Sequence, residues 1–158
     1  MSQIVTSNTS IIKIGINGPT STPEDMVEAL NFLSGEYKDD PTTQESKIKG
    51  SVTAINTVTY HSITGSGTWQ RTKDCPVQLY MLKLSEEIAG DCKTKVEFIG
   101  EDGVTRTGIF NVSATEVGFS GAADELATLE VSFTLAEGTV TTTYPTEVSD
   151  ALTALQTQ

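Results

Sequence analysis

Lysine and arginine stop at Arg106, and every charged side chain after that point is acidic. Glu116, Asp124, Glu125, Glu130, Glu137, Glu147 and Asp150 stand there with no base in the same stretch. With a formal net charge of −11 at pH 7, the chain lacks the clustered bases needed to bind nucleic acid through its phosphates or to hold an anionic membrane surface. Histidine is scarcer still. His61 is alone, so no histidine cluster can hold a metal, and any histidine-based triad would depend on that one residue. The two cysteines, Cys75 and Cys92, have neither Cys-x-x-Cys spacing nor the number for a disulfide framework, and they read as reduced structural residues. No serine sits in a Gly-x-Ser-x-Gly elbow. Gly65-Ser66-Gly67 lacks the further glycine and the lysine of a phosphate loop, which leaves it a turn. The adjacent carboxylates Asp39-Asp40, Glu86-Glu87 and Glu101-Asp102 point apart on strands or loops and do not converge as an acid/base pair. Asn8-Thr9-Ser10 and Asn111-Val112-Ser113 match the glycosylation sequon, which carries no meaning without a secretory route. No apolar run approaches the roughly 18 residues of a membrane span. Residues 1–10 have neither the basic start nor the apolar centre of a signal peptide, so the expectation is a chain made and kept soluble. Taken together, these absences lead us to expect no enzyme, no cofactor and no metal.

What the chain does have is β-structure. Its 158 residues fit one domain able to bury a core, and 37% hydrophobic with 20% charged residues is the balance of a folded domain rather than a disordered one. The clearest element is a half-buried strand over 126–135, where Leu129, Val131, Phe133 and Leu135 alternate with Glu130, Ser132 and Thr134. Glu101-Asp102-Gly103 between residues 95–99 and 104–114 is a strong hairpin signal, with Phe110, Val112 and Ala114 on one face of the returning strand. Ile11, Ile12, Ile14 and Ile16 form a short strand ended by Asn17-Gly18-Pro19. Residues 51–60, rich in β-branched side chains, form another, broken by Gly65-Ser66-Gly67, with Trp69 capping the core nearby. Pro76 opens a helix over 76–89, with Val77, Tyr80, Met81, Leu84 and Ile88 on one stripe and Gly90 just beyond. Residues 23–33 fit two readings: a helix opened by Pro23 with Met26, Val27, Leu30 and Leu33 at helical spacing, or a strand. Residues 35–50 are a polar connection, long for a compact domain and therefore disordered or functional. Residues 1–10 read as a flexible N-terminal arm. Residues 145–158 read as a C-terminal arm, with Val148, Leu152 and Leu155 spaced for a short amphipathic helix.

This order of helix, strand, Glu101-Asp102-Gly103 turn, strand, a loop through Gly121 and a final strand resembles the major tail protein of long-tailed bacteriophages. That is the phage lambda-type tail tube fold, which is shared with type VI secretion tubes. The likeness covers roughly residues 26–138, and the segment from Tyr37 to Gly50, with Lys47-Ile48-Lys49-Gly50 ahead of the strand that starts at Ser51, looks like the family's long loop that reaches a neighbouring ring. The resemblance implies a mainly β fold, a β-sandwich or half-barrel with one flanking helix. It implies that the domain of residues 11–144 closes into a β-barrel tube when hexamers assemble. It also implies a virion protein of the tail, assembled in the host cytoplasm into stacked homohexameric rings, with tape measure and tail-tip or terminator proteins as partners and no membrane. DNA would pass through the lumen without specific binding. Residues 35–50 would be the inter-ring loop, with Tyr37, Lys38, Asp39, Asp40, Lys47 and Lys49 as its candidate contacts. Glu116, Glu130 and Glu137 are the acidic lumen candidates. Six copies at a net −11 apiece would give each ring a net charge of −66, enough to repel DNA phosphates.

Two rival readings belong to other classes. A monomeric β-sandwich binding module should expose an aromatic cluster, and Trp69 is isolated in sequence from most of the tyrosines. A small hydrolase using surface carboxylates should announce a cleft motif, and none is visible.

Overall fold

The computed structural model describes residues 10–47, 49–50, 53–73, 75–86, 92–117 and 126–157. Among the described residues seven strands are present: β1 (Ile11–Gly15), β2 (Met26–Glu28), β3 (Phe32–Lys47), β4 (Ala54–Gln70), β5 (Lys93–Ile99), β6 (Thr105–Val117) and β7 (Thr128–Thr143). Two helices join them, α1 (Pro76–Ser85) between β4 and β5, and α2 (Thr146–Gln156) after β7. The strands form a single antiparallel sheet in the order β2-β1-β5-β6-β7-β4-β3.

This sheet is rolled, not flat. Four inter-strand steps separate β5 from β3, about 19 Å in a flat sheet, yet the rings of Phe98 on β5 and Tyr37 on β3 lie 5.1 Å apart. The fold is therefore mainly β, a half-barrel open in the monomer, with its core inside the curl. Along the strands the alternation does its expected work: Ile12 and Ile14, Val96 and Phe98, Phe110 and Val112, and Leu129, Val131 and Phe133 all point inward and are buried. Phe98 meets Phe110 and Phe133 edge-on at 5.4 and 5.6 Å, and Phe133 meets Trp69 at 6.5 Å. Such contacts add about 0.5–1.5 kcal/mol each beyond area burial. Trp69 is central rather than a cap: it is fully buried, and its indole N–H donates to the Ala29 carbonyl at 3.0 Å.

α1 closes one end of the curl against β6. Pro76 supplies the fixed φ of the first turn, and Val77 and Met81 are buried. Ser85 Oγ donates to the Met81 carbonyl at 3.0 Å and accepts the Ala114 N–H at 2.6 Å, tying the last turn to β6. Ile88 and Gly90, expected in and after this helix, lie outside the described residues, as do residues 1–9 of the N-terminal arm.

Several expectations need correction. Residues 35–50 are not a loop, since β3 runs through them to Lys47, paired residue by residue with β4. The sequence hid this because both faces of that stretch meet water, so no apolar alternation marks it, while Pro41 is tolerated on an edge strand. Gly65-Ser66-Gly67 does not break β4. A Cβ on Gly67 would come within 2.4 Å of the Trp69 ring and one on Gly65 within 2.6 Å of Phe98, so these glycines make room for aromatic rings within a continuous strand. β7 outruns its alternating part: Gly138, at φ 71°, supplies an irregularity through which the strand continues to Thr143. Residues 23–33 combine fragments of both readings. Pro23–Asp25 is a single 3-10 turn, closed by the Asp25 carboxylate accepting from the Thr22 N–H at 2.9 Å and hydroxyl at 3.0 Å, and Met26–Glu28 then pairs with β1. Those hydrogen bonds, the backbone one first, hold the Asp25 carboxyl below its ordinary range. The C-terminal helix is present as α2, a second helix beyond the one flanking helix of the expected fold.

Candidate functional site

Three features can act on other molecules: a projecting ribbon, the convex face of the sheet and the cleft at the mouth of the curl.

The ribbon follows from unequal strand lengths. β7 pairs with β4 only from Thr64 to Gln70, so among the described strands β4 before that point is held by β3 alone. Residues 54–63 and their partners 39–47 thus form a two-stranded arm about 30 Å long at the usual rise. Such a ribbon is marginal by itself in water. Ile55, Val58 and Tyr60 are exposed on it at 52%, 50% and 60%. The six residues singled out in this segment are strung along the arm and do not gather at one place. Tyr37 sits at the root, packed on Phe98 with the Arg106 guanidinium 5.2 Å above its ring. Burial first, and then the nearby Asp39, push its phenol above the ordinary value. Lys38 pairs with Asp40 at 3.3 Å, and Asp39 contacts His61 Nδ1 at 2.7 Å across the two strands, giving the single histidine a partner on the arm. Asp39 and Asp40 accordingly diverge. Lys47 ends β3 and Lys49 lies in the turn beyond it.

The convex face carries hydroxyls. Thr64, Ser66 and Thr68 of β4 lie in register with Thr134, Ser132 and Glu130 of β7, and Ser113 and Thr115 of β6 continue the row. Glu130 is exposed at its middle, between Thr68 and Thr115. Beyond the β7 irregularity Glu137 shares this face, opposite Ile109, and its carboxylate lies 3.5 Å from Lys93 Nζ. Glu116 parts from the other two. It stands opposite Leu129 on the core side, with its carboxylate 3.8 Å from Arg71 Nε. The acidic residues after Arg106 are thus not all unopposed: Arg71 and Lys93, distant in sequence, reach two of them. Asp124 and Glu125 lie outside the described residues.

Sequence reasoning missed a buried polar knot beside Glu116. The fully buried Gln78 of α1 accepts from Arg71 Nη1 at 3.2 Å and from the Thr72 N–H at 3.1 Å, and donates to the Gln70 carbonyl at 2.9 Å. The available signal was a glutamine three residues before Met81, within the apolar stripe. Arg71 Nε is buried without a hydrogen bond. The knot locks the start of α1 to the end of β4 and presents no reactive group to solvent.

The cleft, about 510 Å³, opens between β1, β5 and the root of β3, with Arg106 at its side. Both cysteines carry free thiols. Among the described residues no group of three histidine, cysteine or carboxylate side chains can hold a metal, and no helix is long and apolar enough to cross a membrane.

No protein-family model matches the chain, and no curated protein matches it. Solved structures do. A chain from the tail of an empty gene transfer agent particle, refined with C6 symmetry, superposes with a TM-score of 0.61, covering 90% of this chain and 99% of that one at 15% identity. The fold is that of a tail tube chain. A chain of the SPP1 tail tube gives a TM-score of 0.62 over 94% of this chain and 86% of that one at 8% identity. The tube-terminating cap of the anti-feeding prophage gives 0.62 over 92% and 94% at 12% identity. At such identities the likeness is one of fold, and it spans the tail tube chains nearly end to end.

Proposed function

We propose that this chain is a structural subunit of a virion tail, polymerising as stacked hexameric rings into a tube through which DNA leaves for the host. The observation that carries the reading is the rolled, unclosed sheet with its free-standing ribbon, a shape incomplete as a monomer and matched almost end to end by tail tube chains. Edge strands β2 and β3 would join those of neighbouring copies around the ring, which removes exposed edges and closes a barrel. The ribbon, in place of the loop expected from sequence, would reach the next ring, burying Ile55, Val58 and Tyr60. The hydroxyl-rich convex face with Glu130 would line the lumen. Carboxylates there repel phosphates across a Debye length of about 8 Å, so DNA slides without sticking. Glu137 shares that face, whereas Glu116, turned inward to Arg71, belongs to the subunit's own scaffold. Tape measure and terminator proteins are the expected partners at the two ends. The role is mechanical and needs no catalytic group.

Negative-stain microscopy of the concentrated protein tests this directly. Rings or tubes with a central channel are expected, and uniform small particles at every concentration would favour a monomeric binding module instead. For the conduit, tubes of the Glu130→Lys variant should assemble normally but release DNA more slowly, most visibly at low salt, where phosphate attraction is strongest. Ejection at the parent rate from intact tubes would remove Glu130 from the lumen.

A further inference from the structure

Among the described residues nothing buries any side chain of α2. Val148, Ala151, Leu152 and Leu155 fall at i, i+3, i+4 and i+7 on one face, yet no residue of the helix is buried, and Leu155 is 65% exposed. A free helix of 11 residues is marginal in water, so this stripe needs a surface to rest on. The direction of the helix is fixed at its start. Only Tyr144 and Pro145 separate it from β7, and the Pro145 ring lies so close to Gly103 that a Cβ there would come within 2.8 Å of it.

A matching surface lies at the mouth of the curl. The 510 Å³ cleft is walled by Ile11, Phe32, Leu33 and Ile99, with Leu33 56% exposed, and it is bordered by Arg106. Arg106 is the last base of the chain, and its guanidinium rests on Tyr37. Among the described residues no carboxylate comes within ion-pair distance of it. The only charges on α2 are Glu147 and Asp150, both acidic and flanking the apolar stripe. The helix therefore offers an apolar face with acid beside it, and the cleft an apolar wall whose charged lining residues are Arg106 and Glu36, of which Arg106 is the one an acidic turn would meet.

We propose that α2 of one copy docks into this cleft of a second copy, its stripe on Ile11, Leu33 and Ile99 and its acidic turn paired with Arg106. The inference rests on the self-assembly reading above only in taking the partner to be a second copy of this chain.

Mixing two single-cysteine additions tests it. Leu33→Cys and Leu155→Cys alter exposed side chains and so leave the fold intact. Mixed in equal amounts under mild oxidation, they should give a covalent heterodimer at least about tenfold above either variant alone, the native Cys75 and Cys92 setting the background. Adding Arg106→Glu to the Leu33→Cys partner should lower the yield about tenfold, the scale on which interfacial charge pairs act. Adding Glu147→Lys and Asp150→Lys to the other partner should restore it. A disulfide that forms within one doubly substituted chain and never in the mixture overturns the proposal, because α2 then closes its own cleft. Absence of heterodimer where the parent forms tubes by microscopy also overturns it and leaves the tube reading standing. A heterodimer from a parent that forms only small particles keeps the docking and removes the tube, and neither heterodimer nor tubes removes both.

Discussion

β3 and β4 each pass through two environments, a packed root and an exposed arm. At the root, β4 alternates Gly65, Gly67 and Trp69 inward, and those positions are buried against β7 and the aromatic cluster. Further out, the same strand has no third strand beside it, and Ile55, Val58 and Tyr60 stay in water. The root is held by packing, the arm by a backbone ladder and the Asp39–His61 contact across it. Packing carries stability, so the root should carry the folding of the monomer, which leaves the arm free for the inter-ring contact proposed for it.

The sharpest way to break that comparison is to shorten the arm. Replacing residues 42–57 with a two-residue turn should abolish tube formation in sedimentation and microscopy. The unfolding free energy from denaturant titration should stay within about 0.5 kcal/mol of the parent's, as for changes away from the core. Normal polymerisation of the shortened chain would remove the ribbon from assembly, and a collapsed midpoint would show that the arm supports the body after all.

Phe133→Ala should act in the opposite sense. Phe133 is 1% exposed and touches both Trp69 and Phe98, so its truncation should cost about 3–5 kcal/mol, a large share of a single domain's margin. Urea denaturation checks this, and a midpoint equal to the parent's would mean that the aromatic cluster does not hold the curl together. Gly67→Ala comes next: the added methyl would sit 2.4 Å from the Trp69 ring, and displacing that fully buried ring should cost about 1–3 kcal/mol.

The division between root and arm also sets what was legible in the sequence. Where one face is buried, period two is written into the residues. That is why the inward set of β7, the β5–β6 hairpin and the faces of Phe110 and Val112 agree with the structure. In the arm both faces meet water, selection for alternation is absent, and a 16-residue strand passes for a polar loop. The glycines of β4 mislead for a related reason, since the rings they accommodate come from Trp69 on the same strand and Phe98 on a distant one. Charge failed differently. Counting bases by position left Glu116 and Glu137 unopposed, but the fold brings Arg71 and Lys93 back to them.

Tyr37 sits where the two regions join, and it gives the smallest effect. Its phenol is held above the ordinary value of 10.0, chiefly by burial against the body and next by Asp39 on the arm, with Arg106 acting in the opposite direction. The folded root therefore favours the neutral phenol. The unfolded chain, with the ordinary value, loses that proton first as pH rises, so the contribution is intact below about pH 10 and is lost as pH climbs from there through the folded value. Stability of the parent should accordingly fall in alkali slightly more steeply than that of Tyr37→Phe. The phenolate absorbance difference between the two proteins should titrate above the ordinary tyrosine range. A difference that titrated at or below that range would mean the phenol is solvated. The arm would then begin at the edge of the body, without the anchoring contact to Phe98 that joins the two.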